Sequence, residues 1–451
     1  MKKFVIWEIG KMAKYIITGG IPLKGNVKIY GAKNSSFKLM LAALLSDQPC
    51  RLSNICFIRD VVSVKKMAEA IGAQINFEEN KTVSLIGSGI NISEVPLEFG
   101  KNTRASSMIL PVLLHRFKKA KVPTPGGDNI GARSLDWHLD GLRALGVEVA
   151  YVDNFIEAKA PNGLIGSTYT FKKNTHTGTE TMILAGTLAK GITTLLNAAE
   201  EPEINDLINF LNSLGANIGR EGSRKIVIKG VSALSGGKWR LMPDRNEAVT
   251  FACAALATKG DIFVEEARGD HLRAFLNKVN QADGGYEVHD TGIRFFYKGP
   301  LKATEVETAP YPLFMTDWQA PWVTLMTQAQ GESIVHERVF ENRFAYTEYL
   351  KQMGANIELF NPKVENPEEF YNFNIADRKE NSFHAAKITG PTELNGTSLA
   401  VQDIRAGATL TLAALVAKGQ SVIDNIELIE RGYENLEGRL ESLGAKIVKR
   451  D

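Results

Sequence analysis

The chain has 451 residues, of which 44% are hydrophobic and 23% charged, so its composition excludes disorder for most of its length and suggests two or three domains. Its 53 Lys and Arg residues nearly balance 51 Asp and Glu residues, and a net charge of +2 argues against nucleic acid as a partner. Three cysteines without a CxxC pair argue against a disulfide framework or a structural zinc site and indicate a reducing compartment.

The first residues do not have the pattern of a secretory signal peptide. The apolar run from Phe4 to Ile9 is interrupted by Glu8 and is shorter than the apolar region of such a signal. No stretch approaches the roughly 18 uninterrupted apolar residues of a membrane helix. We therefore expect a soluble, cytoplasmic protein without a membrane partner.

One sequence unit recurs six times along the chain. Its first copy, LSNICFIRDVVSVKKMAEAIGAQI from Leu52 to Ile75, reads as a strand, an amphipathic helix, a glycine stop and a second strand. The glycines that mark the six helix ends are Gly72, Gly146, Gly215, Gly284, Gly354 and Gly444, spaced 74, 69, 69, 70 and 90 residues apart. We expect a left-handed helix cap at each glycine, and we interpret Asn361 to Asn381, within the long interval, as a surface insertion.

A second type of helix, rich in Ala and Leu, accompanies these units. The clearest examples are predicted over Ser36–Leu45, Thr181–Leu188, Ala248–Ala257 and Ala406–Ala417. Because these helices are apolar almost all round, we expect them to be buried in a core, although an apolar face could also bind a partner.

The first polar interruption of this pattern is Gly31-Ala32-Lys33-Asn34-Ser35-Ser36, at the start of the first apolar helix. A lysine beside the free N–H groups of a helix N-terminus favours an anion site. An ordinary Asn or Ser helix cap with a solvated lysine is the alternative.

The second interruption runs from Thr124 to Arg133, where three glycines and a proline surround Asp128. Such a loop could close as a lid and deliver Asp128 as a general acid. A surface turn in which Asp128 only begins the bend fits the same residues.

The remaining charged candidates are arginines and aspartates near predicted helix starts. Several arginines in such places suggest a small, highly anionic substrate, because the guanidinium group binds phosphate and carboxylate in a bidentate manner. Taken singly, a residue of this kind more often forms a surface ion pair. These residues are Arg104, Asp244, Arg245, Asp317, Arg343, Asp403, Arg405 and Arg431.

Taken together, the motifs resemble those of the enolpyruvyl transferases, over about residues 16 to 450. The motifs, in family order, are GGxPLxGxVxIxGAKN at Gly19–Asn34, PGGxxIGAR at Pro125–Arg133, EPEIxDLxxFLxxLGAxI at Glu201–Ile218, YPxFxTDxQAP at Tyr311–Pro321, FENRF at Phe340–Phe344, DIRAG at Asp403–Gly407 and RGYENL at Arg431–Leu436.

The resemblance implies an α/β fold of two inside-out α/β barrel domains, each built from three repeated units, with the active site in the cleft between them. Residues 33–242 would form one domain, which carries the lid loop. Residues 1–32 and 243–451 would form the second, discontinuous domain.

The resemblance also implies an activity: transfer of the enolpyruvyl group of phosphoenolpyruvate to the 3-hydroxyl group of UDP-N-acetylglucosamine, the first committed step of peptidoglycan synthesis, with release of phosphate. No metal and no organic cofactor is implied. The donor and the acceptor together carry about five negative charges, and a cleft rich in Arg and Lys would offset their repulsion.

The family's site roles carry over by position. Asp128 would be the acid and Asp317 the base, with Asp403, Lys33 and Arg405 assisting catalysis. The residues expected to bind the two substrates are Lys33, Asn34, Arg104, Arg133, Ser134, Leu135, Asp136, Trp137, Lys173, His176, Thr177, Asp317, Val339, Arg343, Arg405 and Arg431. Whether His138 and His176 contact ligand or only pack stays open at this point.

One position departs from the usual family pattern. Asp128 stands where the family usually has a cysteine, and the antibiotic fosfomycin inactivates family members by alkylating that cysteine. A carboxylate is a much poorer nucleophile than a thiolate. We therefore expect resistance to fosfomycin, with the acid role passing to the protonated carboxyl group of Asp128.

Two other functions fit the same motifs. The nearest is that of 5-enolpyruvylshikimate-3-phosphate synthase, which shares the fold and the donor. A non-catalytic protein that binds a UDP-sugar is the other, although it would have no need of a base such as Asp317. A repeat scaffold that binds protein partners is less favoured, because the polar exceptions cluster in motifs for small anions.

Overall fold

Each repeat unit folds into a small sheet of three antiparallel strands, usually extended by a fourth strand in parallel. The computed structural model describes residues 13–100, 105–126, 134–401 and 403–450. Side chains alternate between buried and exposed along most strands, as in Ile192–Leu196, so each sheet covers a core on one face.

Three sheets belong to the first part of the chain. In spatial order they consist of Gly237–Arg240, Cys50–Ser53, Thr82–Ile86 and Gln74–Glu78; of Lys119–Pro123, Phe155–Lys159 and Glu148–Val152; and of Asn217–Arg220, Lys225–Lys229, Ile192–Leu196 and Thr168–Thr170.

Three further sheets follow in the second part. In spatial order they consist of Gly285–His289, Gly292–Phe296, Asp261–Glu265 and Lys24–Lys28; of Glu305–Glu307, Gly331–His336, Ala385–Gly390 and Asn356–Phe360; and of Ser398–Ala400, Gln420–Asp424, Lys14–Thr18 and Lys446–Arg450.

Both parts of the chain close on themselves through strand pairing. The strand Lys14–Thr18 lies between Gln420–Asp424 and Lys446–Arg450, antiparallel to both. The strand Gly237–Arg240 pairs in parallel with Cys50–Ser53. Each part thus begins and ends in one sheet, as the repeats of this fold class require.

Helices of two kinds alternate with these strands. The apolar, largely buried helices are Lys33–Ala43, Leu110–Phe117, His176–Thr187, Arg245–Ala257, Gln319–Met326 and Ile404–Val416. The amphipathic helices are Arg59–Ala70, Asp136–Ala144, Pro202–Ser213, Arg273–Gln281, Thr347–Gln352 and Leu436–Ser442. The shorter segments are the α-helical turns Ala105–Met108 and Pro367–Phe370 and the 3₁₀ segments Leu97–Phe99, Gly269–His271, Thr316–Trp318, Ile375–Asp377 and Ile426–Arg431.

Two separate apolar cores result. One contains buried residues between Phe37 and Leu241, and the other joins Tyr15–Ile29 to residues from Ala248 to Ile447. In the second core, the helices Arg245–Ala257, Gln319–Met326 and Ile404–Val416 pack against one another. These helices are therefore core elements, as predicted. The domain limits, 33–242 against 1–32 and 243–451, stay a prediction that this arrangement of cores supports.

The helix ends differ from prediction in two places. Gly72, Gly146, Gly215, Gly354 and Gly444 have positive φ, as expected, but at the fourth unit the left-handed residue is Asp283, with φ of 56°, and not Gly284. The first apolar helix begins at Lys33 and is capped by neither Asn34 nor Ser35. Instead, the Lys33 N–H group donates to Asp244 Oδ2 over 2.8 Å, so the cap comes from the other part of the chain.

The stretch Asn361–Asn381 is also less superficial than predicted. Its exposed residues are interrupted by Tyr371 and Phe373, whose side chains are only 3% and 4% exposed. This stretch therefore packs against the body of the protein. Among the described residues, no helix is long and apolar enough to cross a membrane.

Candidate active site

A pocket lies between the two cores, and both contribute residues to its wall. Its lining is rich in charged side chains, which is unusual for a cavity and marks a site for charged ligands. The cationic lining residues are Lys33, Lys38, Arg343, Arg405 and Arg431, and the acidic ones are Asp60, Glu201, Asp317, Glu341 and Asp377.

One end of the pocket is organised by Asp60. Its Oδ2 lies 3.0 Å from Lys33 Nζ, and its Oδ1 accepts a hydrogen bond of 3.0 Å from Arg431 Nε. Lys33 stands in the first turn of a helix that belongs to the first core, whereas Arg431 ends a 3₁₀ segment that packs on the second. One carboxylate thus holds two cations of opposite walls in place, and the trio keeps a net positive charge that suits a phosphate.

A second charged group centres on Asp317. Arg405 Nε donates to Asp317 Oδ1 over 2.9 Å, and Arg343 Nη2 lies 3.9 Å from the same oxygen. Burial alone would raise the pKa of Asp317, but the guanidinium groups of Arg405 and Arg343 outweigh it and hold the pKa far below its ordinary value. Asp317 is therefore an ionised carboxylate at neutral pH.

Asp403 serves the same group from a helix start. Its Oδ1 accepts hydrogen bonds from the N–H groups of Arg405 and Ala406, at 2.8 and 3.0 Å, and so caps the helix Ile404–Val416. The same oxygen lies 3.8 Å from Arg343 Nη1. Asp403 thereby holds the backbone at Arg405 and lies beside Arg343, while it is not among the residues that line the pocket.

The opposite wall carries a buried ionic cluster of the predicted residue His176 with Lys38 and Glu180, which no motif singled out. Glu180 forms ion pairs with Lys38 Nζ and with His176 Nε2, the latter at 3.1 Å. Burial acts to lower the pKa of His176, but the nearby Glu180 carboxylate reverses this effect and raises it. His176 thus lines the pocket beside Thr177, the next residue in the chain.

His138 also lines the pocket, and its Nε2 lies 2.8 Å from Thr177 Oγ1. This contact, between two residues 39 positions apart, joins the helix Asp136–Ala144 to the helix His176–Thr187. His138 therefore links two helices whose first turns line the pocket.

Most of the predicted site residues that the structure describes come together in this pocket. Those that line it are Lys33, Asn34, Ser134, Trp137, His176, Thr177, Asp317, Val339, Arg343, Arg405 and Arg431. Leu135 instead packs in the first core, and Asp136 is exposed at the start of its helix. Arg104, Asp128 and Arg133 lie outside the described residues.

Two predicted residues near helix starts have structural partners instead. Asp244 accepts from the N–H groups of Asn246 and Glu247 as a helix cap, in addition to Lys33. Arg245 forms a bidentate pair with the buried Glu203, with N···O distances of 3.0 and 2.8 Å. Arg245 thus forms an ion pair, as the alternative held, but the pair is buried and not at the surface.

Sequence reasoning missed Asp60 and Lys38, which line the pocket, and Glu180, which forms an ion pair with Lys38 behind it. Asp60 in the first turn of a helix has the pattern of an ordinary favourable helix-end charge, so the sequence carries no signal for its role. Lys38 and Glu180 did carry a signal, because each is a charge inside an otherwise apolar helix.

Comparisons with known proteins identify the family of the chain. A model of the EPSP synthase family (3-phosphoshikimate 1-carboxyvinyltransferase) matches residues 17–440. A UDP-N-acetylglucosamine 1-carboxyvinyltransferase of Coxiella burnetii is 40% identical over 437 residues, covering 97% of this chain and 96% of that protein. A protein of the same name from Solibacter usitatus is 40% identical over 439 residues, covering 97% of this chain and 99% of that protein.

Solved structures show the same fold. The crystal structure of the enolpyruvyl transferase NikO from Streptomyces tendae has a TM-score of 0.84 at 23% identity and covers 97% of this chain and 99% of its own. The EPSP synthase of Acinetobacter baumannii has a TM-score of 0.72 at 17% identity, with 98% and 100% covered. The chain therefore belongs to the enolpyruvyl transferase family.

Proposed function

We propose that this protein transfers the enolpyruvyl group of phosphoenolpyruvate to the 3-hydroxyl group of UDP-N-acetylglucosamine, releases phosphate and thereby begins peptidoglycan synthesis in the cytoplasm. The observation that carries the proposal is the 40% identity, over 97% of the chain, with proteins named UDP-N-acetylglucosamine 1-carboxyvinyltransferase. The charged pocket supports it, because both substrates are anions.

The donor would bind where cations of both walls meet. Lys33 and Arg431, held by Asp60, offer an ammonium and a guanidinium group to the phosphate, and Asn34 adjoins them on the pocket wall. Arg405 lies in the same pocket and suits the carboxylate. Arg133 would complete this site once the loop that contains it closes over the donor.

The acceptor would occupy the wall formed by the two helix starts Ser134–Trp137 and Lys173–Thr177, opposite Val339 and Arg343. Trp137 offers an aromatic face, and Val339 is held in place by its N–H group, which donates to Glu337 Oε1 over 2.8 Å. Arg104, Leu135 and Asp136 belong to the same proposed subsite.

Asp317 is the proposed base for the acceptor's 3-hydroxyl group. Protonation of the terminal vinyl carbon of phosphoenolpyruvate makes the neighbouring carbon electrophilic, and the hydroxyl oxygen bonds to that carbon as its proton passes to Asp317. The resulting intermediate then loses phosphate and a methyl proton, which restores the double bond. Asp128 would supply the proton to the vinyl carbon, and Asp403 would assist by holding Arg405 and Arg343.

A second candidate is EPSP synthase activity, which the description of the matching family model favours. Purified protein supplied with phosphoenolpyruvate and either UDP-N-acetylglucosamine or shikimate 3-phosphate distinguishes the two by phosphate release. We expect release with the nucleotide sugar alone. Release with shikimate 3-phosphate alone would support the second candidate, and release with neither would indicate a binding protein without this activity.

A further inference from the structure

The insertion in the fifth repeat unit, here defined as residues 361–384, is the part of the chain that the repeat pattern does not explain. The interval between Gly354 and Gly444 is 90 residues, whereas the other intervals are 69 to 74. Asn361 closes the base of the insertion, since its side chain donates to the Ser382 carbonyl over 3.1 Å and accepts from the His384 N–H group over 3.0 Å.

Aromatic packing anchors the insertion to the sheet beneath it. The Tyr371 hydroxyl lies 3.1 Å from Nε2 of His336 in the sheet, and within the insertion the Phe373 ring stacks on His384 with centroids 5.2 Å apart. The guanidinium group of Arg338 lies 3.8 Å from the centroid of the Phe370 ring. These contacts hold the insertion in a fixed position.

From this position the insertion contacts the side of the pocket that the first core provides. Lys173 Nζ donates to the carbonyl oxygens of Glu368 and Tyr371, and the Asn372 side chain donates to the Asn174 carbonyl over 2.8 Å. The Asn372 N–H group donates to the Arg338 carbonyl over 2.7 Å. Arg338 precedes Val339, so the insertion binds segments from both sides of the proposed acceptor site.

The insertion also supplies part of the pocket wall itself, through Asn372, Phe373, Asn374 and Asp377. The amide of Asn374 donates to Asp377 Oδ2 over 3.4 Å, which leaves further acceptor sites on both side chains. A carboxylate in the wall repels a phosphate group. These two side chains are therefore suited to an uncharged hydrogen-bonding part of a ligand, while the cations elsewhere suit its anionic groups.

We propose that the insertion is an acceptor-recognition element, in which Asn374 and Asp377 hydrogen-bond uncharged groups of the nucleotide sugar and Asn372 holds the element across the pocket. This inference rests on the proposed function for the identity of the acceptor. The insertion thus contributes to the choice of acceptor, in addition to the wall segments Ser134–Trp137 and Lys173–Thr177.

The test uses the full chain with Asn374→Ala and Asp377→Ala, and with Lys379→Ala as a matched control, because Lys379 is exposed on the same insertion and is not part of the pocket wall. We expect the KM for UDP-N-acetylglucosamine to rise about fivefold or more in each of the first two variants, which is the loss of one hydrogen bond. The KM for phosphoenolpyruvate and kcat should stay within about twofold of wild type, and Lys379→Ala should behave as wild type.

Calorimetric titration of UDP-N-acetylglucosamine and of UDP, without the donor, provides a second readout. Weaker binding of both compounds places the contact on the nucleotide, and weaker binding of the nucleotide sugar alone places it on the sugar; either result supports the inference. Unchanged affinities and KM values in both variants of an active enzyme would overturn it. If the wild type releases no phosphate, the proposed function fails, and the titrations still decide whether the insertion recognises the nucleotide sugar.

A third variant, Asn372→Ala, tests the bond across the pocket. It removes the donor to the Asn174 carbonyl without touching the aromatic anchor of Tyr371 and Phe373. We expect a rise in the KM for the acceptor with an unchanged unfolding temperature. A lower unfolding temperature with an unchanged KM would assign Asn372 a structural role and contradict its part in recognition.

Discussion

Arg405 and Asp317, 88 residues apart in sequence, form a hydrogen-bonded ion pair in which Arg405 Nε donates to Asp317 Oδ1 over 2.9 Å. The pairing keeps Asp317 ionised but also lowers its basicity, because the pKa lies far below its ordinary value. A carboxylate or phosphate group that binds Arg405 would compete for the guanidinium group and raise the basicity of Asp317. Donor binding would thus prepare the base for the acceptor.

Replacement of Asp317 by Asn should abolish proton removal while it preserves the shape of the site. We expect kcat to fall by a factor of about 10² to 10⁴, the usual contribution of a positioned base, with affinities for both substrates changed much less. Steady-state phosphate release and calorimetric titration measure the two effects. A variant that keeps more than about a tenth of kcat would exclude Asp317 as the base.

The pH profile of the same reaction gives an independent check. The pKa of Asp317 in the free protein lies far below its ordinary value because of Arg405 and Arg343, so the carboxylate stays deprotonated as the pH falls towards 5. If kcat/KM falls as the pH drops from 7 to 5, this fall therefore comes from another group. We expect it to occur at the same pH in the wild type and in Asp317→Glu. If the fall in kcat/KM moves to a different pH in Asp317→Glu, Asp317 itself titrates in this range.

Asp60 should matter through the cations that it holds. In Asp60→Ala, Lys33 and Arg431 lose their shared carboxylate and repel each other, so we expect the KM for phosphoenolpyruvate to rise about tenfold or more, the equivalent of one charge-assisted hydrogen bond. Initial rates at varied donor concentration measure the change. A lower KM would mean that added positive charge outweighs the loss of position, and it would refute this role.

The six units and their buried helices were predictable because they depend on local periodicity, which the glycine spacing and the apolar helices display directly. The site was predictable only where motifs resembled a known family. The Asp244 cap of the helix at Lys33 joins residues 211 positions apart, and the Lys173 contact with Tyr371 joins residues 198 apart. Such pairings arise from tertiary folding, and no spacing rule in the sequence contains them.

Removal of one partner of the buried pair Glu203 and Arg245 should destabilise the protein strongly. Glu203 belongs to the helix Pro202–Ser213 of the first part of the chain, and Arg245 begins a helix of the second core. Both side chains are at most 1% exposed. Glu203→Ala leaves the guanidinium charge buried without its carboxylate, and we expect the free energy of unfolding to fall by about 3 to 5 kcal/mol. Urea unfolding measures this change.

The matched variant for this pair replaces both residues, Glu203→Met with Arg245→Met. Because neither charge is then buried alone, the double variant should be more stable than Glu203→Ala. A double variant that loses as much stability as the single one would show that packing, and not the unpaired charge, determines the effect.

Buried histidines should make the fold sensitive to mild acid. Burial lowers the pKa of His384 to about 4, and neither ring nitrogen has a hydrogen-bond partner among the described residues. The unfolded chain, with an ordinary histidine pKa of about 6.5, then binds the proton more readily, so stability falls as the pH drops from about 6.5 towards 4. His115, whose pKa burial also lowers to about 4, acts in the same direction.

Replacement of His384 by Phe tests this account, because Phe keeps the ring stack with Phe373 and cannot be protonated. We expect the loss of unfolding free energy between pH 6.5 and 5 to shrink by about 1.5 kcal/mol relative to wild type. Chemical unfolding at the two pH values measures it. An identical loss in both proteins would assign the acid sensitivity to other groups.

Fosfomycin gives the most direct test of the residue at position 128. The drug alkylates a loop cysteine in family members, and a carboxylate is a much poorer nucleophile than a thiolate, so the wild type should show no time-dependent inactivation. Asp128→Cys restores the nucleophile, and we expect inactivation that develops over time, persists after the drug is removed and adds the mass of one drug molecule. Phosphate-release assays after desalting, with intact mass spectrometry, measure both. Asp128→Ser serves as the control, since it should be neither alkylated nor fully active, and irreversible inactivation of the wild type would contradict the prediction.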